Sequence, residues 1–256
     1  MNVVIIGTGN VATVLGKKLK NAGHRIAEVV GRNAATTETL AAGLNAAPIT
    51  EISAISTDAD LYLIVVPDSA IETVAKNLPL QGQTIVHTAA SVSIEVLRTK
   101  TDDYGVLYPL QSLTKELQDL PAIPFLIDAS NGPTLALLQK LAGTIGTQVQ
   151  KANDSERIKM HLAAVMVNNF TNHLFTLAHD YCRREGLSFS LLQPLMAETV
   201  SRLTEISPAA AQTGPALRRD QQTIEKHLQL LKNYPHLGGL YDLLTKSIME
   251  STAAAE

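Results

Sequence analysis

The segment Gly7-Thr8-Gly9-Asn10-Val11-Ala12, set between the apolar run 3–6 and a helical stretch over 11–21, constrains this chain more than any other. The run Val3-Val4-Ile5-Ile6 reads as a buried strand, because it is short, β-branched and bounded by glycine. Gly7 permits a tight turn out of that strand. Gly9 leaves room for a phosphate to approach the backbone, and Ala12 lets the helix pack closely on the strand. The unpaired N–H groups at the helix start then favour an anion. A G-x-G-x-x-A pattern alone is weak evidence, but these flanks and a second strand about 20 residues on make it strong. The plainer reading is a glycine turn that only joins strand to helix.

Gly23 ends the helix, and residues 25–30 read as the second strand. Residues 61–66 (LYLIVV) and 84–87 (TIVH) read as further buried strands, followed by 105–107, 125–127 and 147–149. Strands alternating with helical stretches give βαβ units, so the expected class is α/β, a Rossmann-type, mostly parallel sheet. From Asn153 the texture becomes helical throughout. One long helix is expected over 154–185, stopped by Gly186. A second is expected over 190–206 with a break at Pro208, a third after Pro215, and a fourth after an HLGG turn at 236–239. The expected division is a nucleotide-binding domain over 1–152 and an all-helical substrate and dimerisation domain over 153–256. The final STAAAE tail is expected to be disordered.

The end of the second strand selects the nucleotide. An NAD-type site carries an acid there, whereas this chain reads Val29-Val30-Gly31-Arg32-Asn33. Gly31 leaves space for a 2′-phosphate, the Arg32 fork suits that phosphate, and Asn33 can add hydrogen bonds. Glu28 is three residues earlier, on the opposite face of the strand. The expected cofactor is therefore NADP. Against it stands a plain solvated arginine. Beyond the carboxyl ends of later strands, Val66, Pro67 and Asp68 should also touch the cofactor, as should Thr88 and Ala89. Ser91 reads equally well as a helix cap.

The helical half offers two constellations. Seven residues turn an α-helix about 700°, which puts His161 and Asn168 on nearly one face, with Asn169 about 80° away from His161. A histidine and an amide so placed could donate a proton and orient a carbonyl or imine, or could equally bond helix to helix. Thr213 could cap a helix starting at Pro215, with Arg218 one turn in to grip a carboxylate or phosphate. The bland reading there is a cap and a surface network between Arg218 and Asp220.

Composition narrows the remaining classes. The net charge of −3 argues against nucleic-acid partners. Cys182 stands alone, which excludes an internal disulfide, fits a reducing cytoplasm and reads as a buried structural thiol. The histidine spacings give no metal site. Lysines follow the N-terminal apolar run instead of preceding it, three glycines interrupt that run, and no span-length apolar run exists elsewhere. The expectation is a cytoplasmic protein with a small-molecule substrate and no membrane or metal. No G-x-S-x-G elbow or Walker loop appears.

Taken together, GTGNVA, VVPD, HTAAS, YPLQSL from Tyr108, His161 with Asn169, and TGPALRRD from Thr213 to Asp220 resemble a family of Rossmann-like proteins carrying a C-terminal helical domain of unknown function. That family is similar to the pyrroline-5-carboxylate reductases and the deazaflavin-dependent NADP oxidoreductases, with a helical part like that of 6-phosphogluconate dehydrogenases. The resemblance covers nearly the whole chain. It implies that His161, Asn169, Thr213 and Arg218 line a cleft against the nicotinamide and that two copies pair through their helical domains. The chain departs from the pattern at Tyr108, where many relatives carry histidine before the proline, so no general acid is carried over to that position. It departs again at Ala90, where glycine is usual, which tightens the loop over the cofactor. The expected function is an NADP-dependent oxidoreductase acting on a small carbonyl or imine. The alternative is a non-catalytic NADP-binding sensor or interaction protein, motivated by the lack of an unambiguous lysine or tyrosine acid beside the nicotinamide.

Overall fold

The computed structural model describes residues 1–116 and 119–253. The segment before the first glycine is strand β1 (Asn2–Ile6), and α1 (Asn10–Asn21) follows the loop. Next come β2 (Arg25–Val30), α2 (Ala34–Leu44), β3 (Ala47–Ile49), β4 (Leu61–Ile64), α3 (Ile71–Asn77), β5 (Ile85–His87) and β6 (Tyr104–Pro109). The sheet closes with β7 (Pro124–Ala129), α4 (Gly132–Ile145) and β8 (Gln148–Lys151).

The eight strands lie in the order β3-β2-β1-β4-β5-β6-β7-β8, so the chain reverses direction at β1. All neighbours are parallel except β6 and β7, where Leu107 pairs with Ile127 in antiparallel register. The sheet is thus Rossmann-like and mostly parallel, as its alternating elements indicated. Strand alternation sends Val3 and Ile5 into one core and Val4 and Ile6 into the other, so both faces are dry. Continuous apolar runs are what a sheet covered on both sides requires.

Strand β3 has no counterpart in the sequence reading. It is three residues long and contains Pro48, which cannot donate to a ladder. Its place at the sheet edge, beside β2 alone, is the one such a strand tolerates.

The chain forms two compact units, Met1–Phe170 and Thr171 onward. As expected, residues 154–184 are helical up to Gly186, but as α5 (Asp154–Ala164), an unforeseen π-helical segment (Val165–Phe170) and α6 (Thr171–Arg184). In the second unit, α7 (Gln193–Ser201) is flanked by 3-10 turns at Phe189–Leu192 and Arg202–Thr204. Pro208 begins the short α8 (Pro208–Ala211), capped by Ser207, where a break was expected.

Two expectations fail there. No helix follows Pro215: residues 214–219 turn, Arg219 takes a left-handed φ of 54°, and α9 (Gln221–Leu230) starts under an Asp220 cap. A left-handed arginine cannot continue a right-handed helix. The HLGG segment is no turn but lies within α10 (Pro235–Ala253), which begins on Pro235, a residue suited to a first helical position. Residues 251–253 of the tail belong to α10, and the rest of the tail lies outside the described residues. Among the described residues, no helix is long and apolar enough to cross a membrane.

Candidate active site

The glycine loop leaves β1 with Gly7 at φ 137°, where an added Cβ would lie 1.9 Å from the Val65 carbonyl oxygen. Glycine is therefore obligatory for the close approach of β1 and β4. Gly9 caps α1 without any side-chain hydrogen bond, and a Cβ there would meet nothing within 4 Å. The start of α1 is thus open, with its amides unclaimed by a cap, which is the arrangement an anion requires. Ala12 is fully buried beneath it. Thr8 is half-buried and its hydroxyl lies 3.3 Å from that of Thr36. Asn10 is exposed and Val11 packs against the core.

At the end of β2, the space beside Gly31 is taken by the chain's own side chains and is not the open room expected there. A Cβ there would clash with Thr37 Oγ1 at 2.5 Å and Thr8 Cγ2 at 2.6 Å. Arg32 is exposed, with no ion pair among the described residues. Asn33 is the N-cap of α2: its Oδ1 accepts from the Thr36 amide at 3.0 Å, while its NH2 can donate to other partners. Glu28 faces elsewhere, as its register indicated, and accepts from the Ser56 amide at 3.1 Å.

On the other side of β1, the ends of β4, β5 and β6 bring together a polar cluster. Val66, Pro67 and Asp68 follow β4, with Pro67 and Asp68 exposed. Thr88 follows β5 and donates weakly back to the Ile64 carbonyl at 3.5 Å, while Ala89 and Ala90 are buried. The Ser91 hydroxyl donates to Asp68 across the two strand ends. Ser91 is not a cap; Ser93 takes that role by accepting from Glu95 N.

His161 of α5 reaches this cluster. Its Nδ1 lies 2.9 Å from the Tyr108 hydroxyl at the end of β6, and the two rings meet edge to face at 6.0 Å. Burial pushes the Tyr108 hydroxyl above the usual tyrosine range, and the Asp68 carboxylate adds to that shift. Tyr108 is therefore a protonated group held against an imidazole. Sequence reasoning passed over it because only a histidine was expected there.

Asn168 and Asn169 do not follow the geometry expected of them. Both are exposed on the π segment, and the wider turn takes them out of the 100° register counted from His161. Thr213 and Arg218 belong to the second unit and are exposed. The turn at Gly214 replaces the helix start that would have made Thr213 a cap. Cys182 is buried, as a structural thiol would be.

Beneath the cluster lie two groups that sequence reading missed. Arg157 is wholly buried. Its Nε donates to the Ala90 carbonyl (3.1 Å), and its Nη2 donates to the Val92 carbonyl (2.7 Å) and to Asp154 (2.6 Å). Asp154 is itself lowered: burial opposes the shift, but hydrogen bonds from Ser93 and Arg157 outweigh it. His87, the last residue of β5, is also fully buried. Its Nδ1 accepts from the Ala89 amide at 3.2 Å, which places its proton on Nε2. Burial, followed by the charge of Arg157, lowers its pKa to about 4. No local pattern announces either residue, although an arginine one helical turn before His161 was a signal that could have been followed.

With this geometry in place, comparison with known proteins assigns the family. A Rossmann-like domain matches residues 1–111 and a domain of unknown function, DUF2520, matches residues 123–248. The structure of a candidate NADP oxidoreductase from Bacteroides fragilis superposes with a TM-score of 0.88 at 36% identity, covering 97% of this chain and 98% of that one. The chain belongs to this family of Rossmann-like proteins with a DUF2520 helical domain. Two more distant structures share the fold. A reductive aminase from Aspergillus terreus, in complex with NADPH and ethyl levulinate, has a TM-score of 0.71 at 17% identity, covering 96% of this chain and 94% of that one. A 1-pyrroline-5-carboxylate reductase from Streptococcus pyogenes has a TM-score of 0.65 at 16% identity, covering 98% of each chain. No protein of curated function matches the sequence.

Proposed function

We propose that the protein is an NADP-dependent oxidoreductase acting on a small carbonyl or imine. The observation that carries this reading is that one carboxyl edge of the sheet holds both an uncapped helix N-terminus behind Gly9, at the reversal of strand order, and the Tyr108–His161 pair at the end of β6. Ligands of open α/β sheets lie at such reversals, outside the strand ends. The residues present fit a dinucleotide. Gly7, Thr8, Gly9, Asn10 and Val11 form the pyrophosphate turn, Arg32 and the Asn33 amide face a 2′-phosphate, and Val66, Pro67, Asp68, Thr88 and Ala89 line the far half. The B. fragilis relative described as an NADP oxidoreductase supports the same reading.

When bound, the nicotinamide supplies hydride transfer. The chain's own part is to hold a proton where the product oxygen or nitrogen needs one. His161 is the candidate donor, and the Tyr108 hydroxyl, able both to donate and to accept, bonds Nδ1 in either protonation state. The alternative is a non-catalytic sensor, motivated by the lack of an unambiguous lysine or tyrosine acid beside the nicotinamide; the contact of Tyr108 with His161 favours the enzyme. Asn169, Thr213 and Arg218 remain candidate substrate contacts. We assign residues 153–256 to substrate binding and to pairing of two copies, and the reducing cytoplasm as the compartment. NADPH consumption across a panel of small ketones, aldehydes and cyclic imines tests the reading. Turnover that falls about a hundredfold in His161→Ala while NADPH affinity holds is the expected result. No turnover with any member of the panel, or turnover indifferent to His161, contradicts it.

A further inference from the structure

An ionised guanidinium removed wholly from water carries a desolvation penalty of several kcal/mol. An aliphatic side chain would pack the same space without it. What Arg157 does with its charge is hold a loop. Two of its three hydrogen bonds go to main-chain carbonyls, those of Ala90 and Val92, in the segment that follows β5. The third goes to Asp154 in the first turn of its own helix, which also engages Ser93. That turn is fixed independently by a capping box between Asn153 and Glu156. The guanidinium therefore joins a rigid helix start to a loop with no regular ladder of its own.

The orientation of those carbonyls has a consequence. In a trans peptide, C=O and N–H point opposite ways, and no cis bond occurs among the described residues. With the Ala90 carbonyl directed at Arg157, the Ser91 amide is directed away from the guanidinium, and the Ser91 hydroxyl separately bonds Asp68. His161 lies one turn after Arg157 on α5, so the residue that holds the loop and the residue that meets Tyr108 share a helix face.

We propose that Arg157 is the positioning residue of the site: it fixes the 88–92 loop for the nicotinamide half of the cofactor and ties that loop to the helix carrying His161. The inference rests on the dinucleotide reading above. It also separates the two halves of the ligand, because the adenosine 2′-phosphate end lies on the β2 side of β1, away from the loop.

The test compares wild type with Arg157→Met and Arg157→Lys. Calorimetry measures the affinities for NADPH and for adenosine 2′,5′-bisphosphate, and amide hydrogen exchange is followed in residues 88–93. In Arg157→Met, NADPH should weaken about tenfold or more, the bisphosphate should stay within about twofold, and exchange should speed up in the loop but not in β1 and β2. Arg157→Lys keeps the charge but has no fork to span two carbonyls, so it should show the same pattern with a smaller change. Should Arg157→Met fail to fold, the lysine variant decides the matter alone. Equal losses for both ligands mean general destabilisation and overturn the proposal, as does unchanged NADPH affinity with unchanged loop exchange. If wild type binds neither ligand, the dinucleotide reading fails by itself. The exchange measurement still decides the loop: acceleration confined to 88–93 supports the clamp, and its absence refutes it.

Discussion

The sheet region through Ala152 and the helices after it handle apolar surface in opposite ways. Through Ala152, the central strands β1, β4, β5 and β6 are almost wholly buried, as are the inner faces of α1, α2 and α4, and Val3, Val4, Ile5, Leu61 and Leu63 are completely so. Beyond residue 170 the buried apolar side chains among the described residues are Cys182, Ala216, Ile224 and Leu231. In contrast, Leu191 stands 79% exposed, and Leu195, Leu230 and Leu243 each exceed 60%. The sheet closes its own cores on both faces, whereas α5 and the π segment leave Leu162, Val167 and Phe170 exposed, as the helices of the second unit do their leucines. The second unit leaves several leucines largely exposed, a surface of the kind that a partner can cover. A second copy of this chain is the occupant that the proposed pairing supplies.

The sharpest way to break the sheet unit is Gly7→Ala. Its Cβ would overlap the Val65 carbonyl at a φ reserved for glycine, so a loss of about 4 kcal/mol or more is expected. Thermal unfolding should show it, or the folded protein should fail to accumulate. A native melting temperature would mean that β1 and β4 are not as close as described.

Acid should unfold the same unit through His87. Its folded pKa of about 4 lies below the ordinary 6.5, so above pH 6.5 neither state is protonated and stability is complete. As the pH falls from 6.5 towards 4, the unfolded chain takes a proton that the native state refuses. Stability is lost by roughly 3 kcal/mol over that window. The melting temperature of His87→Gln should fall less steeply than that of wild type between pH 7 and pH 4. Parallel slopes would place His87 in water.

For the helical unit the comparison is sharpened by Leu191→Lys with Leu195→Lys. Each charge should cost about 2 kcal/mol of association, converting a dimer to a monomer in sedimentation while the sheet unit keeps its melting transition. A wild-type chain that sediments as a monomer would remove the proposed partner.

The same contrast explains what the sequence made legible. Continuous apolar runs such as Leu61–Ile64 have one reading in a two-faced sheet, and the glycine loop required both flanks, so the Rossmann-type order could be recognised. β3 escaped because three residues around a proline carry no period. In the helical half, amphipathic spacing marked helices but not their ends. The left-handed Arg219 and the π segment at Val165–Phe170 depend on local geometry that propensity does not encode. The candidate site divided likewise. Its phosphate turn was visible as a motif, whereas the meeting of Tyr108 with His161 and of Arg157 with the Ala90 and Val92 carbonyls joins positions more than fifty residues apart. Such pairings come from topology, not from spacing.

We propose that this chain holds NADP at the reversal of its sheet, with Arg32 selecting the 2′-phosphate. Calorimetric titration of wild type and Arg32→Ala with NADPH and NADH tests it most directly. The account predicts that wild type prefers NADPH by about tenfold or more and that Arg32→Ala loses this preference without weakening NADH, since a charge-assisted contact to phosphate is worth about 1.5–3 kcal/mol. Binding of neither nucleotide, or an NADPH preference untouched by the loss of Arg32, would contradict it.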